Sequence, residues 1–371
     1  MDDQDDDLLP ATALRPRKSV DLRVDLSKLA VRGERGLQHR DAGVLRCTAC
    51  AHRCVLTDGR AGACGVREGR DGDVFVPFGY IARRYVRPVE TNTVYHVEPG
   101  SRSLTFGMYG CDLRCPYCHN WRLSQALRED VAGEAPIAIS ATVLVDEAID
   151  AGCRVVCAAY NEPMIAAEWV RAVFTEAKAR GLLTMVVSDG NTTPEALAYL
   201  RPVTDVFRVD LKGFAPEHYK ALGGRLEPVL AAIAEARRLG YWVEVVTLVV
   251  PGFNDDAVGL RGLAKQLAAI DPALPWHLNA FQPRYKMKDR PAMHPELLVS
   301  VAGTAYARGM QFVYVGNVTG TFQELEHTRC PKCRANVVER KNFTTTALRL
   351  RGDACSACGQ RIPGLFAAQS D

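Results

Sequence analysis

SLTFGMYGCDLRCPYCHNW, residues 103–121, runs from a short apolar strand straight into a loop opened by Gly107 and Gly110, with Cys111, Cys115 and Cys118 at C-x3-C-x2-C spacing. Three thiolates at this spacing converge on one small volume. A four-iron cubane held by three cysteines keeps one iron without a protein ligand, the iron-sulfur counterpart of an open catalytic metal position. The alternative is a closed zinc site with His119 as fourth ligand, although adjacent residues such as Cys118 and His119 seldom turn both side chains to one ion.

Beyond this loop, short apolar runs alternate with amphipathic helical stretches. After SLTF (103–106) the runs are VVCAA (155–159), LLTMVV (182–187), DVFRVD (205–210), WVEVVTLVV (242–250), WHLNAF (276–281) and FVYV (312–315). Helical segments lie between them: Ser140 caps ATVLVDEAIDAG, and MIAAEWVRAVFTEAKARG and VLAAIAEARRLG follow, each closed by glycine. This alternation predicts an α/β fold, a parallel sheet fully or partly closed into a TIM-like (β/α) barrel, with a doubly wound open sheet as the alternative. In either fold the chemistry belongs at the C-terminal ends of the strands. Residues there include Glu162 in a Tyr-Asn-Glu-Pro turn, Ser188 and Asp189, and the Asp210-Leu211-Lys212 segment. His277, with Gln282, Arg284 and Tyr285 beyond it, is placed at the sixth strand end, though a histidine on a strand is more often a satisfied core residue.

Two further cysteine groups flank the alternating region. Cys330-x2-Cys333 and Cys355-x2-Cys358 have the spacing of a zinc ribbon, two knuckles bringing four thiolates to one ion, with a wall or docking surface as its expected role. Cys47, Cys50, Cys54 and Cys64 also offer four thiolates, and their spacing fits structural zinc or an auxiliary iron-sulfur cluster alike. Eleven of the 13 cysteines thus fall into three groups. Cys153 and Cys157 flank an apolar strand and read as small hydrophobes. The expected organisation is a flexible leader (1–40), a Cys-rich N-terminal module (41–99), the barrel (100–322), a zinc-ribbon-like module (323–366) and a tail (367–371).

Composition sets the outer limits. With 371 residues, 47% of them hydrophobic, the chain can bury one barrel-sized core plus small satellites. A net charge of +3 gives no electrostatic footprint for nucleic acid or an anionic membrane. No window reads as a membrane span, and MDDQDDDLLP lacks the features of a signal peptide, so a cytoplasmic location is expected. In that reducing compartment, many cysteines point to metal ligation rather than disulfides.

The cysteine loop followed by His119-Asn120 resembles the radical S-adenosylmethionine (SAM) superfamily, most closely its branch around pyruvate formate-lyase activating enzyme. The order of YHVEPGSRSLTFGMYGCDLRCPYCHNW, YNEP, DLKGF, LVVPGFND, PWHLNAFQPRYKM, YVGN and the final four cysteines is similar to the radical SAM member of the AmmeMemoRadiSam group, over residues 45–366. Similar proteins often carry Glu-Lys-Lys-Pro at residues 90–93, Gln at His119 and Asn at Asp189, and the activating enzymes carry an acid where this chain has Val187.

The resemblance implies a [4Fe-4S] cluster on Cys111, Cys115 and Cys118, with SAM on its open iron and one-electron cleavage to a 5′-deoxyadenosyl radical. It further implies SAM contacts from Glu162, Asp210 and Lys212, with Ser188 and His277 as additional candidates. The expected partners are a protein or peptide substrate, an electron donor and, by association, Memo-like and AMMECR-like proteins. Modification of a small metabolite or nucleic acid, or a non-catalytic metal-binding interaction module, are the alternative readings.

Overall fold

The computed structural model describes residues 19–129, 134–318 and 320–366. Its centre is an eight-stranded sheet: β1 (Arg83–Pro88), β2 (Arg102–Gly107), β3 (Cys153–Ala158), β4 (Leu183–Ser188), β5 (Val206–Asp210), β6 (Trp242–Val249), β7 (Trp276–Ala280) and β8 (Val313–Gly316). Strands β2 to β8 are parallel and lie side by side in chain order. β1 is antiparallel to β2 at one edge. A doubly wound sheet reverses its strand order part-way; this order never reverses, so right-handed crossovers put the helices on one face and leave the other to line an interior. Among the described residues β1 and β8 do not pair, so the arrangement is an open barrel.

Strand alternation separates the two faces. Leu104, Phe106, Val156, Val186, Phe207, Val243 and Leu278 belong to the main core with the surrounding helices. Val155, Cys157, Met185 and Val206 form a second core inside the sheet, closed by Val89, Val94 and Val97. The helices include α1 (Ala141–Asp150), α2 (Ala167–Ala179), α3 (Pro194–Leu200), α4 (Leu226–Arg238), α5 (Ala257–Ile270) and α6 (Pro295–Ala307). Ser140 caps α1 as expected, its side chain accepting from Val143 N–H.

The flanks depart from the sequence expectation in two respects. Within the expected leader, residues 19–28 form a helix because Leu22 and Leu26, one turn apart, are both buried; burial contributes about 2 kcal/mol for each such leucine. Residues 1–18 and the 367–371 tail lie outside the described residues. The barrel begins before residue 100, since β1 pairs along its whole length with β2. The N-terminal cysteine segment has a small apolar core of its own, made by Leu45, Ala49, Leu56, Val74 and Val76.

The C-terminal module packs on the N-terminal end of the barrel, away from the strand ends that carry the cysteine loop. It consists mainly of Thr328–Arg329, Asn336–Lys341 and Thr344–Leu348 in one antiparallel sheet. Residues 89–101, which connect β1 to β2 at that end, are held to it: Glu98 N–H donates to Leu365 O and Leu365 N–H to His96 O, both at 2.8 Å. Arg340 enters from the module, donates to Tyr95 O at 2.6 Å and stacks over the Tyr95 ring.

Candidate active site

Four consecutive strand ends build the mouth of the barrel. The loop after β2 carries Cys111, Cys115 and Cys118; Glu162 follows β3, Asp189 follows β4, and Asp210 and Lys212 end β5. The cysteines belong to one apolar cluster with Leu113, Tyr117, Leu222, Val250, Phe281 and Met287. Arg128 holds their loop in shape. Its Nη1 donates to Leu113 O at 2.8 Å and to Gln125 Oε1 at 3.0 Å, and its Nη2 donates to Cys111 O and Ala63 O.

Three buried carboxylates surround Cys111. Its Sγ lies 3.9 Å from Asp189 Oδ2 and 4.0 Å from Asp112 Oδ1. Asn191 donates its side-chain amide to Asp112 at 2.7 Å and its backbone N–H to Asp189 Oδ1 at 2.9 Å. Glu162 ties two strand ends together: Oε1 accepts from Met164 N–H at 3.0 Å and Ser188 Oγ at 2.9 Å, and Oε2 accepts from Asp189 N–H at 2.7 Å. Burial first, and then the neighbouring carboxylates, push Glu162 and Asp189 well above the usual carboxylate range and Asp112 up to about 6. Such a group calls for a cation, and a ligand's ammonium answers that need through charge-assisted hydrogen bonds.

The next strand supplies a charged row. Arg208 and Lys212 both contact Asp210, with Lys212 Nζ 3.1 Å from Oδ2. Burial works against the Asp210 anion, but the two cations outweigh it and hold its carboxyl below the usual range. On the far side of the mouth, Lys286 N–H donates to Pro116 O at 3.0 Å. There Tyr285 stacks on Trp121 with ring centroids 4.9 Å apart.

A radical SAM superfamily model matches residues 106–260, the stretch from β2 to α5 that contains all of these strand ends. Those residues form a radical SAM domain. An uncharacterized protein of Methanocaldococcus jannaschii is 30% identical over 326 residues, 87% of this chain and 96% of that protein. The pyruvate formate-lyase-activating enzyme of Staphylococcus aureus is 27% identical over 198 residues, 48% of this chain and 76% of that enzyme. Among solved structures, Streptococcus suis SuiB matches with a TM-score of 0.45 at 12% identity, over 62% of this chain and 52% of its own.

A radical SAM domain implies a [4Fe-4S] cluster and SAM, and the mouth fits both: three thiols of one loop share one apolar cluster, and the carboxylates beside Cys111 suit an ammonium. His119 is exposed, and among the described residues it does not gather with the three cysteines into a close ligand set. Glu162, Asp210 and Lys212 stand at the mouth. Ser188 stands there too, but its hydroxyl is taken up by Glu162 and by Gly190 N–H, so it positions its neighbours and offers the ligand no free donor.

His277 is a correction. It is the second residue of β7, near the N-terminal end of the barrel, and its Nε2 lies 2.7 Å from Glu244 Oε2. It has no place in a SAM site at the opposite end. Asp112, Asp189 and Arg128 carry more of the mouth than their sequence neighbourhoods suggest. For Asp112 and Asp189 the signal was adjacency, to Cys111 and to a strand end respectively.

The remaining cysteines lie elsewhere. In the C-terminal module Cys330, Cys333, Cys355 and Cys358 have sulfurs all within 4.8 Å of one another, and can hold one metal ion. The module packs against the far end of the barrel through residues 89–101. Cys153 and Cys157 are buried, as expected of small hydrophobes. All 13 cysteines are free of disulfides.

Proposed function

We propose that this chain is a radical SAM oxidoreductase of the activating-enzyme kind, acting on a protein or peptide by raising a glycyl radical or modifying a side chain. The observation that carries the reading is the meeting of the Cys111, Cys115 and Cys118 loop with the buried carboxylates of Asp112, Glu162 and Asp189 at one barrel mouth. When bound, the cluster and SAM supply a 5′-deoxyadenosyl radical that abstracts a hydrogen atom. The three cysteines hold the cluster, and Arg128 fixes the loop that presents them. Asp189, backed by Glu162, orients the SAM ammonium. Asp210 and Lys212 form the adjacent polar wall. Leu113, Tyr117, Val250 and Phe281 keep water from the cysteines.

A protein substrate is supported by the likeness to pyruvate formate-lyase-activating enzymes, whose name specifies an enzyme as target. Memo-like and AMMECR-like proteins are the candidate partners, and an external one-electron donor is required. Zinc is the proposed occupant of the C-terminal module. Its sulfur pairs stand 3.6 Å (Cys330 and Cys358) and 3.7 Å (Cys333 and Cys355) apart. Thiolates at about 2.3 Å from one tetrahedral ion stand about 3.8 Å from each other.

The substrate class is tested with a perdeuterated cell extract split by size and offered to the enzyme with unlabelled SAM and reductant. Deuterium appearing in 5′-deoxyadenosine with the macromolecular fraction, and lost after protease treatment, supports a protein or peptide. Deuterium arriving only from the small-molecule fraction, or surviving protease but not nuclease, overturns it.

A further inference from the structure

Cys47, Cys50, Cys54 and Cys64 belong neither to the barrel mouth nor to the C-terminal module. We propose that they hold a second [4Fe-4S] cluster, fully ligated by cysteine and set wall to wall with the loop of the catalytic one.

The four residues come together through short connections. Cys47 N–H donates to Cys54 O at 2.9 Å, and Cys54 Sγ accepts from Ala63 N–H at 3.3 Å, one residue before Cys64. Arg53 N–H, one residue before Cys54, donates to Cys50 O at 3.1 Å. Their environment is dry: Cys47, Cys50 and Cys64 are buried and Cys54 is half-buried, beside the apolar core of Leu45, Ala49, Leu56, Val74 and Val76.

Sulfur spacing separates the two metals that tetrahedral sulfur ligation allows. Thiolates around a single ion share one centre and crowd together. Thiolates around a cubane each hold a different iron and stand apart by the width of the cluster. The C-terminal module shows the crowded arrangement, with all four sulfurs within 4.8 Å. Among the described residues, neither the N-terminal set nor Cys111, Cys115 and Cys118 contracts in that way. The N-terminal site, like the catalytic cysteines, therefore lacks the spacing of a single-ion site.

Its position suits redox chemistry. Gly110, at φ +92°, directly precedes Cys111, and a Cβ there would stand 2.8 Å from Cys64 O, so the two cysteine loops touch backbone to backbone. Arg128 bridges them by donating to both Ala63 O and Cys111 O. His52 Nε2 lies 3.2 Å from Asp112 O. With four cysteines the second cluster has no open iron, so it exchanges electrons and binds no SAM.

The inference does not depend on which substrate the enzyme uses. Its test is metal and sulfide analysis of the full chain, purified without oxygen, as wild type, as the Cys111→Ala/Cys115→Ala/Cys118→Ala variant and as the Cys47→Ala/Cys50→Ala variant. The expected result is about eight irons per wild-type chain and about four, with matching acid-labile sulfide, in each variant. The triple variant should also show a reduced-cluster electron paramagnetic resonance signal that SAM does not alter. About four irons in the wild type, none in the triple variant and a second zinc per chain would overturn the second cluster while leaving the catalytic one intact. Loss of all iron from the Cys47→Ala/Cys50→Ala variant together with a lowered melting temperature reports misfolding, and the triple variant then decides alone.

Discussion

Asp189 and Glu162 look alike as buried acids beside a thiol, yet their contacts give them different work. Asp189 accepts one backbone hydrogen bond through Oδ1 and turns Oδ2 to Cys111, whereas Glu162 has three protein donors on its two oxygens. Asp189→Asn keeps the shape and removes the charge, so SAM binding should weaken about 10-fold or more, the worth of a charge-assisted hydrogen bond, with iron content and melting temperature unchanged. Calorimetric titration with SAM checks this; unaltered affinity would assign the ammonium elsewhere. Glu162→Ala orphans three donors between β3 and β4 and should cost about 3 kcal/mol or more of stability as well as affinity, measured by denaturant unfolding. Glu162 was legible from its place after a strand. Asp112 and Asn191 meet only because the chain brings β2 and β4 ends together, a contact that no local pattern encodes.

The N-terminal end of the barrel is a polar device built from a connection, three strands and the C-terminal module. Glu244 on β6 accepts from Tyr95 N–H at 3.0 Å, from His96 N–H at 2.9 Å and pairs with His277 on β7. His96 lies between Pro363 O and Tyr314 OH, both at 2.6 Å, contacts that assign its neutral tautomer with the proton on Nδ1. Burial first lowers its pKa from 6.5 to about 4. A histidine depressed in this way is held neutral by the fold, so its contribution is complete above the unfolded value and is lost as pH falls from 6.5 towards 4. The expected loss between pH 7 and pH 5 is about 2 kcal/mol, and His96→Gln should flatten that slope in urea unfolding. A slope identical in the variant would place the titration in another group. The sequence run WHLNAF showed that His277 lies on a strand. Its second place in that run marks it as near the strand's start, where barrel chemistry does not sit. The four-cysteine spacing of the C-terminal module was equally legible, but its seat depends on Arg340 meeting Tyr95 O at 2.6 Å and Glu90 at 3.8 Å, about 250 residues earlier in the chain. Cys355→Ser should therefore remove the metal ion proposed for the module and lower the melting temperature of the whole barrel by several degrees, while SAM cleavage at permissive temperature persists. An unchanged melting transition would mean that the module does not brace the barrel.

Across the molecule, chemistry and closure occupy opposite ends. The parallel strands, the crossover helices and the place of the cysteine loop could be read from alternating apolar runs, because a parallel sheet buried on both faces writes near-continuous hydrophobic strands. The strand order could not, since those runs fit a doubly wound sheet as well. The antiparallel β1 could not, since RRYVRP is an edge strand of half-exposed, largely basic residues. The helix at 19–28 was hidden for a related reason: two leucines among charges become visible only against the barrel they cover. What unites the parts is a single claim, that the open end of this barrel holds a three-cysteine cluster that cleaves SAM. The most direct measurement is 5′-deoxyadenosine and methionine release by the anaerobically reconstituted chain with SAM and dithionite, beside Cys115→Ala treated identically. Equal amounts of the two products from the wild type and none from Cys115→Ala are expected; release by the variant at the wild-type rate, or none from an iron-loaded wild type, would contradict the claim.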